Sequence, residues 1–194
     1  MRDASDLKHA RLIETIIENR YQSLYHMQVD LKDTTRDYYV TDYGVRAGLL
    51  VLNGNRVLLT KQYRLLLNDY SLEIPGGKVE ENEMPEDAAI RECFEETGVL
   101  CSRLNHLVSY NPSLDNLFNP THIFLSSNFE VTDKDYLNEG EVVGCRWLDL
   151  EECFRMISSS EISDTFTMIA VFAYLHRIQQ AEPIHIKDPK RRNC

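Results

Sequence analysis

Apolar residues near the start of the chain recur at helical spacing. Between residues 4 and 27 they fall mostly three or four positions apart, at Leu7, Ala10, Ile13, Ile16, Ile17, Tyr21 and Leu24. This spacing places one apolar stripe along a helix, and Asp3 or Ser5 is a suitable N-cap. The pattern therefore predicts an N-terminal helix whose stripe packs against the body of the domain or against a second subunit.

Beyond this segment the apolar residues form short runs that are typical of strands. These runs predict strands at residues 28–31, 37–43, 45–52, 56–63, 71–74, 101–110, 121–131 and 142–148. Asp33-Thr34-Thr35 is a turn signal between the first two runs. Asn53-Gly54-Asn55 is a strong hairpin signal between the next two. These runs are therefore predicted to supply the strands of a β-sheet.

Helical spacing returns near the C-terminal end, where it predicts helices at residues 150–158 and 164–180. Two segments between predicted strands, 111–120 and 132–140, are rich in turn-forming or acidic residues. They predict loops, and the second loop is expected to be mobile.

One stretch in the middle of the chain combines helix signals with many acidic residues. Pro85 is favourable in a first helical turn, and Gly98 is the typical residue just past a helix end. The helix between them carries three glutamates on one face, since residues three and four apart are neighbours: Glu92, Glu95 and Glu96.

Three carboxylates on one face repel each other, so the arrangement stabilises nothing by itself. The face is either solvated or held by a divalent cation with oxygen ligands, and Mg²⁺ favours carboxylates together with phosphates and water. Gly76-Gly77, just before the helix, lets the backbone approach a ligand closely. Arg91, four residues before Glu95, is placed to neutralise one acid.

The whole stretch resembles the box of Nudix hydrolases, G-x5-E-x7-R-E-U-x-E-E-x-G-U, where U is a bulky aliphatic residue. The fixed positions are filled by Gly77, Glu83, Arg91, Glu92, Glu95, Glu96 and Gly98, whereas Cys93 stands at the first U. The resemblance implies an α/β (α+β) fold class with a mixed β-sheet sandwiched between helices. To this Nudix fold we add an N-terminal helical and β extension.

The resemblance also implies roles for particular residues. Glu92, Glu95, Glu96 and the main-chain carbonyl of Gly76 are the expected metal ligands, with Mg²⁺ as the cofactor and Mn²⁺ as a substitute. Glu83 and Arg91 are expected to form a structural pair that holds the preceding loop onto the helix.

Composition limits the partners and the domain count. A chain of 194 residues with 43% hydrophobic content is long enough for one good core. We therefore divide it into an extension at 1–44, a catalytic domain at 45–181 and a flexible basic tail at 182–194. The net charge of −10 argues against nucleic acid and anionic membranes as partners.

The cysteines point to a reducing compartment. Five cysteines show no zinc-binding spacing, and their odd number suggests free thiols. No apolar run reaches the length of a signal core or a transmembrane helix. The expected location is the cytoplasm.

Three further segments are similar to the ADP-ribose pyrophosphatase branch of the Nudix family. They are the KQYR sequence at residues 61–64, LEIPGG at residues 72–77, and YNPS at residues 110–113. Gly76 stands where that branch usually has alanine, and the predicted N-terminal helix departs from its usual β-rich start. The resemblance implies hydrolysis of ADP-ribose to AMP and ribose 5-phosphate, by an enzyme that is commonly a homodimer.

The expected substrate contacts come from the same segments. Arg64 and Arg46 suit phosphates or the terminal ribose, because guanidinium groups match phosphate oxygens, but a surface salt bridge is the alternative for each. Glu73 is expected to accept from a sugar hydroxyl or to pair with an arginine. Pro112 marks the loop near the substrate. Residues that are left open between base stacking and packing are Tyr38, Tyr39, Tyr43, Phe118 and His122.

The expected catalytic base lies in a late acidic loop. In the pyrophosphatase branch such a loop supplies the base just before a strand, which here indicates Glu141, with Glu139 second. Glu95 is a further candidate catalytic residue, and a solvated acidic turn is the alternative reading of the loop. A mobile loop suits the role, because its closure completes the site.

The same box is also compatible with other functions. Within the family these are hydrolysis of GDP-mannose or UDP-glucose, clean-up of nucleoside triphosphates, and isomerisation of isoprenyl diphosphates. A different class is a non-catalytic module that binds ADP-ribose through a decayed box. The intact acids and the acidic charge weigh against that module.

Overall fold

The structure is a computed structural model that describes residues 10–132 and 142–181. The strands are β1 (Ala10–Glu18), β2 (Ser23–Leu31), β3 (Thr34–Asp42), β4 (Arg46–Asn53), β5 (Arg56–Arg64), β6 (Asp69–Glu73), β7 (Gly76–Lys78), β8 (Val99–Ser102), β9 (Asn105–Tyr110), β10 (Leu117–Phe118), β11 (Thr121–Ser126), β12 (Asn128–Val131) and β13 (Val142–Asp149). The helices are α1 (Pro85–Thr97), α2 (Leu150–Ser158) and α3 (Thr165–Ala181).

The predicted N-terminal helix is wrong over the residues that the structure describes. β1, β2 and β3 form an antiparallel sheet instead, and the short β10 pairs with β3. The Asn19 side chain accepts hydrogen bonds from the backbone N–H groups of Tyr21 and Gln22, which closes the first turn. Ile and Thr favour pleated strands, and two bulges interrupt the alternation of β1. Because a bulge shifts the alternation of side chains by one residue, the apolar residues of β1 can have a spacing that is also typical of a helix.

The central sheet has the strand order β13-β5-β4-β11-β9, with β4 and β11 parallel. The predicted hairpin between β4 and β5 is confirmed, with Gly54 at φ 60° in its turn. The two strands pair only next to this turn and then separate. β6 pairs with β5 and β7 pairs with β4 in the gap. The turn Pro75-Gly76-Gly77 is thereby inserted into the middle of the sheet.

Helices cover both faces of this sheet. Alternate residues of β4 pack towards α1, as Ala47, Leu49 and Val51 do, or into the core formed with α2 and α3, as Leu50 and Leu52 do. This alternation follows from the two-residue period of a strand. The predicted mixed sheet between helices is confirmed.

Several boundaries differ from the prediction. The run 101–110 is split into β8 and β9 at Arg103, which has φ 53°. The run 121–131 is split into β11 and β12, where the Ser126 hydroxyl binds the Ser102 and Asn128 carbonyls. Both late helices are confirmed.

The tail and most of the acidic loop lie outside the described residues, and the three-part division of the chain stays a prediction.

Within residues 10–132 and 142–181, no helix is both long enough and apolar enough to cross a membrane.

Candidate active site

The helix α1 has the ends that local chemistry predicts. Pro85 occupies its first turn, and the Gly98 N–H donates to the Phe94 carbonyl with φ 69° at Gly98. Its buried side chains are Ala88, Ala89 and Cys93. Cys93 packs in an apolar cluster with Val99 and Cys101 and serves there as a small apolar residue. The departure at the first U position of the box is therefore compatible with the core.

The predicted pair between Glu83 and Arg91 is confirmed. Arg91 donates to both carboxylate oxygens of Glu83, at 2.8 and 2.9 Å. It also donates to the Lys78 carbonyl, to Glu92 at 2.9 Å and to Glu95 at 3.2 Å. The hydrogen bond from Arg91 lowers the pKa of Glu83. Arg91 thus fastens the loop before α1 to the acidic face of the helix.

Glu92 lies directly against the glycine turn. A Cβ atom placed on Gly77 would be 2.2 Å from the Glu92 Cδ atom, so only glycine leaves room for this carboxylate. Burial raises the pKa of Glu92, and the hydrogen bond from Arg91 opposes that rise. The Glu92 carboxylate is therefore held in a partly desolvated place beside the turn.

Glu96 is the most strongly perturbed carboxylate of the group. Burial raises its pKa to about 7, and the charge of Glu92 adds to that rise. The Gln62 side-chain amide donates to Glu96 Oε1 at 2.7 Å, and the Gly76 N–H donates to Oε2 at 3.0 Å. The sequence analysis did not name Gln62 as a site residue, although Gln62 lies in the KQYR segment that is similar to the pyrophosphatase branch.

These residues suit a hard divalent cation. Glu92 and Glu96 are two partly buried carboxylates whose charges disfavour one another, and a cation relieves that repulsion. Glu95 has a side chain that is 55% exposed and is held by Arg91. In the described part of the chain no group of three or more His, Cys, Asp or Glu side chains is arranged to hold an ion. Two carboxylates, a backbone carbonyl, water and substrate phosphates would complete the oxygen set that Mg²⁺ or Mn²⁺ prefers.

Arg64 and Glu73 are paired with each other. Arg64 Nε donates to Glu73 Oε1 at 2.7 Å, and a second donor of the same guanidinium contacts Oε2. Glu73 is buried at the end of β6. Of the two expectations for Glu73, pairing with an arginine is the one observed. The pair lies near the carboxylates, because the charge of Arg64 acts on Glu96.

Arg46 is the first residue of β4, the strand that pairs with β7 next to the turn. Its guanidinium is 5.5 Å above the centre of the Phe166 ring. Burial lowers the pKa of Arg46, and the charges of Glu92 and Glu96 oppose that effect. Its Nε atom is buried and has no hydrogen-bond partner among the described residues. Arg46 therefore places a positive charge and one unsatisfied donor beside the acidic cluster.

The remaining candidates are spread over the molecule. Pro112 is exposed in the loop between β9 and β10, whereas Phe118 and His122 line a cavity of about 510 Å³. Tyr39 is exposed and stacks on the His26 ring at 5.0 Å. Tyr38 and Tyr43 lie in or next to β3. Glu139 and Glu141 lie outside the described residues.

Comparisons with known proteins agree with this architecture. A family model described as NUDIX domain matches residues 42–166. The ADP-ribose pyrophosphatase of Bacillus subtilis (strain 168) is 30% identical over 161 residues, which are 81% of this chain and 87% of that protein. The methanol dehydrogenase activator of Bacillus methanolicus is 31% identical over 161 residues, with the same shares.

Among solved structures, one described as a crystal structure of ADP compounds hydrolase is similar to this chain with a TM-score of 0.73. The match covers 89% of this chain and 96% of that one at 14% identity. At this identity the likeness shows the fold alone.

Proposed function

Because the chain belongs to the Nudix family and is a pyrophosphohydrolase of that family, we propose that it cleaves the diphosphate linkage of ADP-ribose to give AMP and ribose 5-phosphate. The observation that carries this proposal is the cluster of Glu92 and Glu96 against the Gly76-Gly77 turn. A similar-sized relative that is named ADP-ribose pyrophosphatase supports the choice of substrate.

Each residue of the cluster has a role in this proposal. Glu92, Glu96, Glu95 and the Gly76 carbonyl would hold Mg²⁺, or Mn²⁺ in its place. Bound there, the cation would supply charge neutralisation at the two phosphates and a water of lowered pKa. Gln62 orients Glu96, and Arg91 orients Glu92 and Glu95. Arg46, Arg64 and the Pro112 loop would bind the phosphates and the sugar, with Glu73 holding Arg64 in place.

The substrate is tested by a screen of ADP-ribose, GDP-mannose, UDP-glucose and nucleoside triphosphates with Mg²⁺, with the products identified by mass. AMP and ribose 5-phosphate from ADP-ribose, at a higher kcat/KM than for the other compounds, are the expected result. Pyrophosphate release from triphosphates would favour nucleotide clean-up instead. Tight ADP-ribose binding without release of any monophosphate would indicate a binding module and overturn the proposal.

We propose Glu141 as the general base, with Glu139 as the second candidate. Glu141→Gln is expected to lower kcat by about a hundredfold or more, because general base catalysis contributes on that scale. The affinity of the metal-free protein for Mn²⁺, measured by calorimetry, should stay unchanged. Glu139→Gln is the matched control, with a small effect expected. Normal turnover of Glu141→Gln would remove this residue from the mechanism.

We also propose that the protein is a homodimer formed through β1. This strand lies at the edge of its sheet and carries four apolar side chains that are between 41% and 47% exposed: Leu12, Ile13, Ile16 and Ile17. An edge strand with exposed apolar residues is a ready surface for pairing with another chain.

A charged variant of the strand tests the dimer. The double substitution Ile13→Glu and Ile17→Glu is expected to shift the protein to the mass of one chain in sedimentation equilibrium, because burial of two carboxylates opposes association. Val131→Glu, at an exposed apolar strand position elsewhere, should leave the mass at two chains. A wild-type protein with the mass of one chain would contradict the proposal.

The thiols support a reducing location. Cys93, Cys101, Cys145 and Cys153 are free in the described part of the chain. Free thiols are typical of proteins in the cytoplasm, and we propose that compartment.

A further inference from the structure

We propose that Thr167 and Asp164 are positioning residues which hold the Gly76 turn, from the opposite face of the sheet, in the geometry that the cation needs. The proposal rests on the proposed metal-dependent function. Neither residue belongs to the Nudix box, and Thr167 is 93 positions away from its hydrogen-bond partner Ile74.

A continuous chain of hydrogen bonds connects α3 to the turn. The Ile74 N–H donates to the Thr167 hydroxyl oxygen at 2.9 Å. The same hydroxyl donates to Asp164 Oδ2 at 2.7 Å, and the Thr167 N–H donates to that oxygen at 2.8 Å. Thr167 is fully buried. Because the Thr167 hydroxyl donates its hydrogen to Asp164, a lone pair of the same oxygen is directed towards the Ile74 N–H. Asp164 therefore fixes the orientation of the hydroxyl.

The turn is held by three different elements at three successive residues. α3 binds the Ile74 N–H, the Leu49 N–H of β4 donates to the Pro75 carbonyl at 3.0 Å, and Glu96 of α1 accepts from the Gly76 N–H. Pro75 has no N–H of its own to satisfy. The position of the Gly76 carbonyl therefore depends on α3 as well as on α1.

The packing around the turn leaves little freedom for a shift. A Cβ atom on Gly76 would lie 2.5 Å from the Ala47 carbonyl oxygen. A Cβ atom on Gly48, the strand partner of Gly76, would lie 3.1 Å from the Phe166 ring and 3.3 Å from the Ile74 side chain. Close-packed interiors transmit small displacements. A movement of Ile74 would thus be passed on to Gly76.

Asp164 also lies close to the charged groups of the site. The charges of Arg46 and Glu73 both act across this region, and burial raises the pKa of Asp164. Asp164 has two properties that substitutions can separate: its oxygen accepts from Thr167, and its negative charge acts on Arg46. Asp164→Asn keeps an acceptor and removes the charge, whereas Asp164→Ala removes both.

The test compares Thr167→Val with Thr167→Ser, which restores the hydroxyl. In Thr167→Val the Mn²⁺ affinity of the metal-free protein, measured by calorimetry, should fall about tenfold, since the Ile74 N–H loses its buried partner. The Ile74 amide should exchange with solvent faster, and kcat for ADP-ribose should fall with little change in KM. Thr167→Ser should restore all of these quantities.

Two further variants separate positioning from general loss of stability. Val171→Ala removes a fully buried side chain from the same helix. It should lower the melting temperature without changing Mn²⁺ affinity. If Thr167→Val does not fold, Asp164→Ala should weaken Mn²⁺ binding while Asp164→Asn retains it.

The inference is overturned by unchanged Mn²⁺ affinity in Thr167→Val or, where that variant does not fold, in Asp164→Ala. Equal losses of affinity in Thr167→Val and Val171→Ala would also overturn it. Failure of the proposed function has a different signature, since the wild-type protein would then not hydrolyse ADP-ribose whatever the metal affinities of the variants.

Discussion

Glu96→Gln is expected to lower kcat by about a thousandfold while the fold remains intact. Glu96 combines burial, a pKa of about 7 and two hydrogen bonds that orient its oxygens. Loss of one charged ligand from a metal site removes several kcal/mol of charge stabilisation, and about 4 kcal/mol corresponds to this loss in rate. Initial rates of ADP-ribose hydrolysis at saturating Mg²⁺ measure the effect, and far-UV circular dichroism checks the fold.

The same substitution has an expected effect on stability in the absence of metal. Folded Glu96 has a pKa of about 7 against an ordinary value of 4.5, so between these pH values the folded state binds a proton that the unfolded state has released. The Glu96 contribution to stability therefore decreases as pH rises from about 4.5 to 7. In EDTA, the decrease in melting temperature between pH 5 and pH 8 should be smaller for Glu96→Gln than for the wild type. Addition of Mg²⁺ at pH 8 should raise the melting temperature of the wild type again.

Other glutamates of the cluster provide the comparison. Glu92→Gln is expected to reduce turnover as strongly as Glu96→Gln, because Glu92 is also partly buried beside the turn. Glu95→Gln should have a smaller effect, since this side chain is mostly exposed. Full activity in Glu96→Gln would contradict the proposed metal site.

Gly77→Ala is expected to lower kcat by about a hundredfold or more. Its methyl group would lie within 2.5 Å of all three atoms of the Glu92 carboxyl group, so Glu92 has to move. A misplacement of about 1 Å at a catalytic site costs on the order of a hundredfold in rate. Because the end of a flexible side chain moves, rather than the backbone, most of the fold should be retained. Mn²⁺ titration and ADP-ribose kinetics measure the outcome.

Gly144→Ala is the matched control for this prediction. A Cβ atom at Gly144 meets nothing within 4 Å, so both activity and metal affinity should be unchanged. Wild-type metal affinity in Gly77→Ala would mean that Glu92 does not bind the cation from the position seen here.

Local chemistry explains why much of this protein was predictable. The ends of α1 follow from Pro85 and Gly98, and the hairpin follows from Asn53-Gly54-Asn55, because these residues act on their immediate neighbours. The acidic face of α1 and the contact between Arg91 and Glu83 depend on helix geometry and on a loop of only a few residues. When two residues are close in the sequence, few alternative contacts are available to them.

The wrong prediction at the N-terminus has the opposite cause. The apolar spacing of residues 10–27 suits a helix, but the segment forms the bulged strand β1, a turn and the first part of β2. β1 pairs with β2, and β2 pairs with β3. Hydrogen bonds between strands therefore overrule the local periodicity. The observed β-rich start removes the departure from the ADP-ribose pyrophosphatase branch that the predicted helix implied.

The linear order of residues sufficed for the family, for the acidic helix and for the core alternation of the central strands, since each depends on spacing within one element. The fold alone assigned Gln62 to Glu96, Arg64 to Glu73 and Thr167 to Ile74. Each of these partners lies on a different element of the chain. Hydrogen bonds between such elements depend on how the sheet and helices pack in three dimensions, and no spacing along the chain specifies that packing.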